Sequence, residues 1–74
     1  MEKTRTIAYY IVCTKCCKIP ILQRKFGYNF NTCDNAIDIL ERLGVVSEFD
    51  IIKLERTILV GTIEELEDKL DFYF

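Results

Sequence analysis

A chain of 74 residues has room for one domain around one small hydrophobic core. Half of its residues are apolar and 30% are charged, which excludes a disordered polar chain, and no apolar run approaches the roughly 18 residues of a membrane span. The net charge of −2 conceals an asymmetry: residues 1–30 carry six basic side chains against Glu2 alone, whereas residues 31–74 carry eleven acids against four basic residues.

Such a split between halves signals a partner, or simply two solvated faces. The opening Met1, Glu2, Lys3, Thr4, Arg5 and the short apolar run from Ile7 to Cys13 are too polar and too brief for a signal peptide, so a cytoplasmic protein is expected. Reduced thiols are then expected at Cys13, Cys16, Cys17 and Cys33. A zinc site built from these four thiolates is the competing reading. It is disfavoured because Cys16 and Cys17 are adjacent, no second C-x-x-C follows and the chain has no histidine. No metal or cofactor is expected.

Residues 4–15 favour a first helix, with Ile7, Tyr10 and Ile11 on one face beside Ala8 and Val12, although the β-branched and aromatic content would also suit a strand. Pro20 suits the first turn of a second helix, where its missing N–H loses no partner. Ile21, Leu22 and Phe26 are expected to pack inward, leaving Gln23, Arg24 and Lys25 to water, and Gly27 stops the helix. A third helix follows, capped by Asn31 or Thr32, with Asp34 near its positive end and Ala36, Ile37, Leu40 and Leu43 as its core stripe. Gly44 ends it.

Val45-Val46 and Arg56–Val60 read as two strands joined by a loop carrying Phe49, Ile51, Ile52, Lys53 and Leu54. Thr62 and Glu65 form a capping-box pattern that opens a short acidic helix with Ile63, Leu66 and Leu70 on one side. The expected fold is therefore α+β: a winged helix-turn-helix of three helices and a two-stranded wing. It forms one domain over residues 1–74, with residues 61–74 as an acidic C-terminal extension.

These residues resemble the C-terminal gamma winged-helix domain of FtsK/SpoIIIE-type DNA translocases. The resemblance rests on Ile11 to Lys18, on Ile21, Leu22, Gln23, Arg24 and Lys25, on Phe30 and Asn31, on Ala36, Ile37 and Asp38, on Leu40 and Glu41, on Gly44, Val45 and Val46, and, after about one inserted residue, on Arg56 to Val60. It runs without a gap from residue 11 to residue 46 and covers some fifty positions. It implies binding to double-stranded DNA, with the third helix in the major groove. Asn31 matches the family's asparagine, while Thr32 and Asn35 stand where the family has arginines, the usual readers of guanine. Asn35 suits adenine and Thr32 a phosphate or a thymine methyl.

The candidate DNA contacts are accordingly Arg24 and Lys25 on phosphates, Asn31, Thr32 and Asn35 at bases, and Lys53 and Arg56 on the wing, with Lys15 and Lys18 extending the basic strip. An ordinary wet helix face accounts for Arg24 and Lys25 equally well, and helix capping accounts for Asn31 and Thr32. Asp34, Asp38 and Glu41 leave the third helix acidic, with only Arg42 to offset them, which opposes phosphate attraction. The motor is missing, since no P-loop occurs.

The alternative is a protein-binding module, such as a phage or mobile-element inhibitor that docks on the basic surface of another protein. Asp34, Asp38, Glu41, Glu64, Glu65, Glu67, Asp68 and Asp71 would imitate phosphates. Phe49, Ile51, Ile52 and Leu54 would anchor the contact or join two copies as a homodimer, unless they pack on the C-terminal helix. Catalysis is not expected: the chain has no histidine, no nucleophile elbow and no metal–carboxylate pattern.

Overall fold

A computed structural model describes residues 2–73. Apolar residues at three- and four-residue spacing give helix α1, Glu2–Thr14, its buried face made of Ile7, Ala8, Ile11 and Val12. The helix/strand ambiguity of this segment is thus resolved as helix. It ends at Lys15, whose N–H still donates to the Ile11 carbonyl (2.8 Å) while its own φ swings to +60°.

Helix α2, Ile19–Phe26, begins with Pro20 in its first turn and stops at Gly27, at φ +71°, a left-handed conformation that costs a glycine little. Leu22 is buried and Phe26 half-buried, but Ile21 remains at the surface. An aromatic stack fixes the turn that follows. Phe26 meets Tyr10 of α1 edge-on (centroids 5.3 Å apart), Tyr28 stacks on Phe26 (5.4 Å), and the Lys3 ammonium lies 5.2 Å from the Tyr28 ring centre.

Helix α3 runs Phe30–Leu43 and is capped by Asn29, whose Oδ1 accepts the Thr32 N–H (2.8 Å), rather than by Asn31 or Thr32. Asp34 accordingly lies beyond the first turn. Cys33, Ala36, Ile37 and Leu40 are buried, Leu43 is half-buried, and Gly44 closes the helix at φ +81°. Helix α4, Ile63–Tyr73, opens with the Thr62 hydroxyl accepting the Glu65 N–H (3.2 Å), as the capping-box pattern requires.

Helix α1 packs against α3 and α4, and α2 packs against α3. One core results, in which Leu66 and Leu70 of α4 are as fully buried as Ile7, Ile11 and Leu40.

The expected two-stranded wing does not form. Among the described residues there are four helices and no strand, so the chain is all-α rather than an α+β winged helix-turn-helix. Only two isolated antiparallel bridges occur between α3 and α4, Val46↔Ile58 and Asp50↔Glu55.

The physical reason lies in side chains that take the ladder's hydrogen bonds. Around the first bridge the Ser47 N–H donates to the Thr57 carbonyl and the Leu59 N–H to the Val45 carbonyl, both at 2.8 Å. The bond that would extend the ladder, from the Thr57 N–H to the Ser47 carbonyl, is replaced. The Thr57 N–H donates instead to Ser47 Oγ (2.8 Å), and the Ser47 carbonyl accepts from Arg56 Nη1 (3.1 Å). What remains is a looped hairpin. Its tip is tied by Asp50, whose Oδ1 accepts the N–H groups of Ile52 (2.8 Å) and Lys53 (3.1 Å), and its return passes through Leu54 at φ +57°.

Candidate nucleic-acid interface

Helices α2 and α3 are joined by the Gly27–Asn29 turn and pack together, and α3 exposes one long ridge. Asn31, Asn35, Asp38 and Arg42 recur at intervals of three and four and are all exposed, opposite the buried Cys33, Ala36, Ile37 and Leu40. This ridge carries one acid and one base.

The other two acids of α3 turn aside. Glu41 is half-buried and accepts a hydrogen bond from Arg56 Nη1, forming an ion pair, and Asp34 faces a groove between α2 and the hairpin. The acidity that the sequence assigns to the whole helix is therefore concentrated on its flank. The outward ridge is close to neutral.

The basic half of the chain is sorted in the same way. Lys3 sits over Tyr28, Arg5 pairs with Asp71 (3.8 Å), and Lys15 Nζ donates to the Gly61 carbonyl (3.4 Å). Lys18, Arg24 and Lys25, at the entry and on the surface of α2, are exposed, and no ion pair among the described residues involves them. The exposed positive strip thus belongs to α2, the helix that precedes the ridge.

The remaining candidate residues scatter. Thr32 is half-buried in the first turn of α3, with its N–H held by Asn29. Lys53 is exposed at the hairpin tip. Arg56 is half-buried and occupied: it bridges Glu41 and the Ser47 carbonyl, while its own carbonyl accepts from Cys17 Sγ (3.6 Å). Arg42 completes the ridge although sequence reading enlisted it only as a charge offset. Its spacing from Asn35 and Asp38 was the available signal.

The hairpin's apolar residues do not pack on α4. Phe49 is 49% exposed, Leu54 69%, Ile51 79% and Ile52 89%. Glu64, Glu67 and Asp68 are exposed along α4, while Glu65 belongs to the cap, Tyr9 Oη donates to Glu67 (3.1 Å) and Asp71 pairs with Arg5.

The thiols are dispersed: Cys13 is exposed, Cys16 and Cys17 are half-buried, and Cys33 lies in the core. Among the described residues no group of three or more histidine, cysteine or acidic side chains is placed to hold a metal ion. Burial pushes the Cys33 thiol above its ordinary range, and burial is also the main cause of the upward shift of Cys17, which the Arg56 carbonyl bond partly opposes. Among the same residues no helix is long and apolar enough to cross a membrane. Comparison with protein-family models, with curated proteins and with solved structures gives no match.

Proposed function

We propose that this chain is a small non-catalytic helix–turn–helix protein that binds double-stranded DNA, with α3 as the helix that enters the major groove and α2 lying across phosphates. The observation that carries the reading is the sorting of charge on α3. Amide side chains Asn31 and Asn35 share the exposed ridge with the offsetting pair Asp38 and Arg42, while Glu41 is neutralised by Arg56 on the flank.

Asparagine is a bidentate partner for adenine N6 and N7, and a good pair contributes about 1–3 kcal/mol of discrimination. Lys18, Arg24 and Lys25 supply the sequence-independent attraction. The resemblance to the FtsK/SpoIIIE gamma domain supports the same reading, because its Leu22–Lys25 and Phe30–Asn31 segments fall on α2 and at the start of α3.

Electrophoretic mobility shift with mixed and G-rich duplexes tests it. Three phosphate contacts predict a log–log salt slope near −2.7, so affinity should fall about fortyfold between roughly 50 and 200 mM salt. Arg24→Glu with Lys25→Glu should abolish the shift while leaving the fold intact. Unaltered binding in that double variant, or no shift of any duplex at low salt, would overturn the proposal.

A second reading, a protein-binding module, is favoured by one specific observation, the exposed apolar hairpin tip. Retention of a defined protein by the immobilised chain, with no duplex shifted, would select it.

A further inference from the structure

The hairpin tip lies next to a groove that it helps to build. Ile19, Pro20 and Ile21 of α2, Ile37 of α3, and Phe49 and Leu54 of the hairpin itself enclose about 500 Å³ open to solvent. Beyond it project Ile51 and Ile52, 79% and 89% exposed, on a turn in which the Ile52 and Lys53 N–H groups donate to Asp50 Oδ1. An apolar cavity of about 150 Å³ accepts a benzene-sized group, so the groove has room for two or three aliphatic side chains. Each molecule therefore carries both an apolar prong and an apolar slot, side by side.

Charge matches shape. The prong bears the exposed Lys53, and the slot bears Asp34 and Glu55 beside Lys18 and Arg56; Arg56 is held by Glu41, while Lys53 and Asp34 make no salt bridge among the described residues. Surfaces that carry complementary features side by side are satisfied twice by a two-fold axis, which is the usual geometry of homodimers.

We propose that this face is a homodimer interface, in which Ile51 and Ile52 of each copy enter the groove of the other and Lys53 of each meets Asp34 of the other. The inference does not depend on DNA binding. Ile37 lies on the far side of α3 from the ridge of Asn31, Asn35, Asp38 and Arg42, whereas Asp34 borders that ridge one turn before Asp38, so a dimer approaches its edge and leaves Asn35 and Arg42 farthest from the contact. The patch is small beside a standard interface of roughly 800 Å² per partner, which places the expected dissociation constant in the micromolar range.

Sedimentation equilibrium over a wide concentration range tests the proposal, with circular dichroism confirming the fold of each variant. The native chain should dimerise reversibly, and Ile52→Glu should weaken the dimer by a factor of roughly a hundred, because two acids are then driven into apolar slots. Lys53→Glu alone and Asp34→Lys alone should each weaken it roughly ten- to thirtyfold, since each change acts at two symmetric contacts. The combined Lys53→Glu, Asp34→Lys variant should regain most of the native affinity. A native chain that stays monomeric at millimolar concentration overturns the proposal. So does a combined variant no better than the single ones, or a dimer that Ile52→Glu leaves unchanged. A monomeric chain that still shifts DNA would leave the α3 reading standing and remove only this interface.

Discussion

Replacing Arg56 by methionine separates its structural work from any contact with DNA. The guanidinium ties the hairpin to α3 through Glu41 and closes the hairpin neck through the Ser47 carbonyl. Its side chain is 16% exposed and that of Glu41 is 35% exposed. Charge-assisted hydrogen bonds contribute roughly 1.5–3 kcal/mol. Solvent screening at the partly exposed Glu41 reduces this to about 1–2 kcal/mol, because the freed carboxylate can rehydrate.

Methionine retains the apolar stem, so the loss is of the polar contacts rather than of packing. For a domain of this size the change should lower Tm by about 6–12 °C, read by far-ultraviolet circular dichroism. A thermodynamic cycle with Glu41→Gln should show the two losses to be coupled by about 1 kcal/mol. Measured well below its Tm, Arg56→Met should bind a duplex as the native chain does, to within about twofold. An unchanged Tm together with lost DNA binding would refute this assignment and restore Arg56 as a phosphate contact.

Three further outcomes follow from local chemistry. Asn29→Ala should cost about 1 kcal/mol in thermal or chemical unfolding, because the Thr32 N–H loses its side-chain acceptor; an unaffected protein would mean that water replaces the cap fully. Gly44→Ala should destabilise by about 1–2 kcal/mol through its φ of +81° alone, since the nearest atom to an added Cβ is the mobile Lys69 Nζ at 3.4 Å. Alkaline pH should also destabilise. Cys17 and Cys33 have folded-state pKa values raised above the ordinary thiol value of 9.0, so above that pH the unfolded chain holds fewer protons than the folded one. Unfolding free energy should then stay level below pH 9 and fall as pH rises past it until the folded thiols ionise, a trend that Cys33→Ala with Cys17→Ser should flatten.

What the sequence disclosed and what it hid divide along physical lines. The helices were legible because their signals are local: Ala36, Ile37 and Leu40 repeat at helical spacing, Gly27 and Gly44 stop two helices, and Thr62 with Glu65 caps another. The α3 cap was misplaced because Phe30, an apolar residue 53% exposed, hides the fact that the helix has already begun and that Asn29 precedes it.

The wing failed for a reason no propensity contains. Val45, Val46 and Ile58 suit strands, but Ser47 Oγ and Arg56 Nη1 occupy the groups that a second rung needs. The Glu41–Arg56 pair, which anchors Arg56 in place, joins residues on different elements and is visible only once they are folded together. The same distance effect concealed the charge balance of α3, since which of its acids face outward depends on where α2 and the hairpin lie. The apolar run from Phe49 to Leu54 suggested burial against α4, whereas the Asp50 turn aims it outward.

The most direct test of α3 as the DNA-reading helix is a map of amide chemical shifts in the isotopically labelled chain as a short duplex is added at low salt. Shifts should concentrate at Asn31, Asn35, Asp38 and Arg42 and at Lys18, Arg24 and Lys25, fading as salt rises, with Ile51 to Leu54 unmoved by the duplex. Shifts centred on the hairpin, or none anywhere on α2 and α3 at saturating duplex, would contradict it.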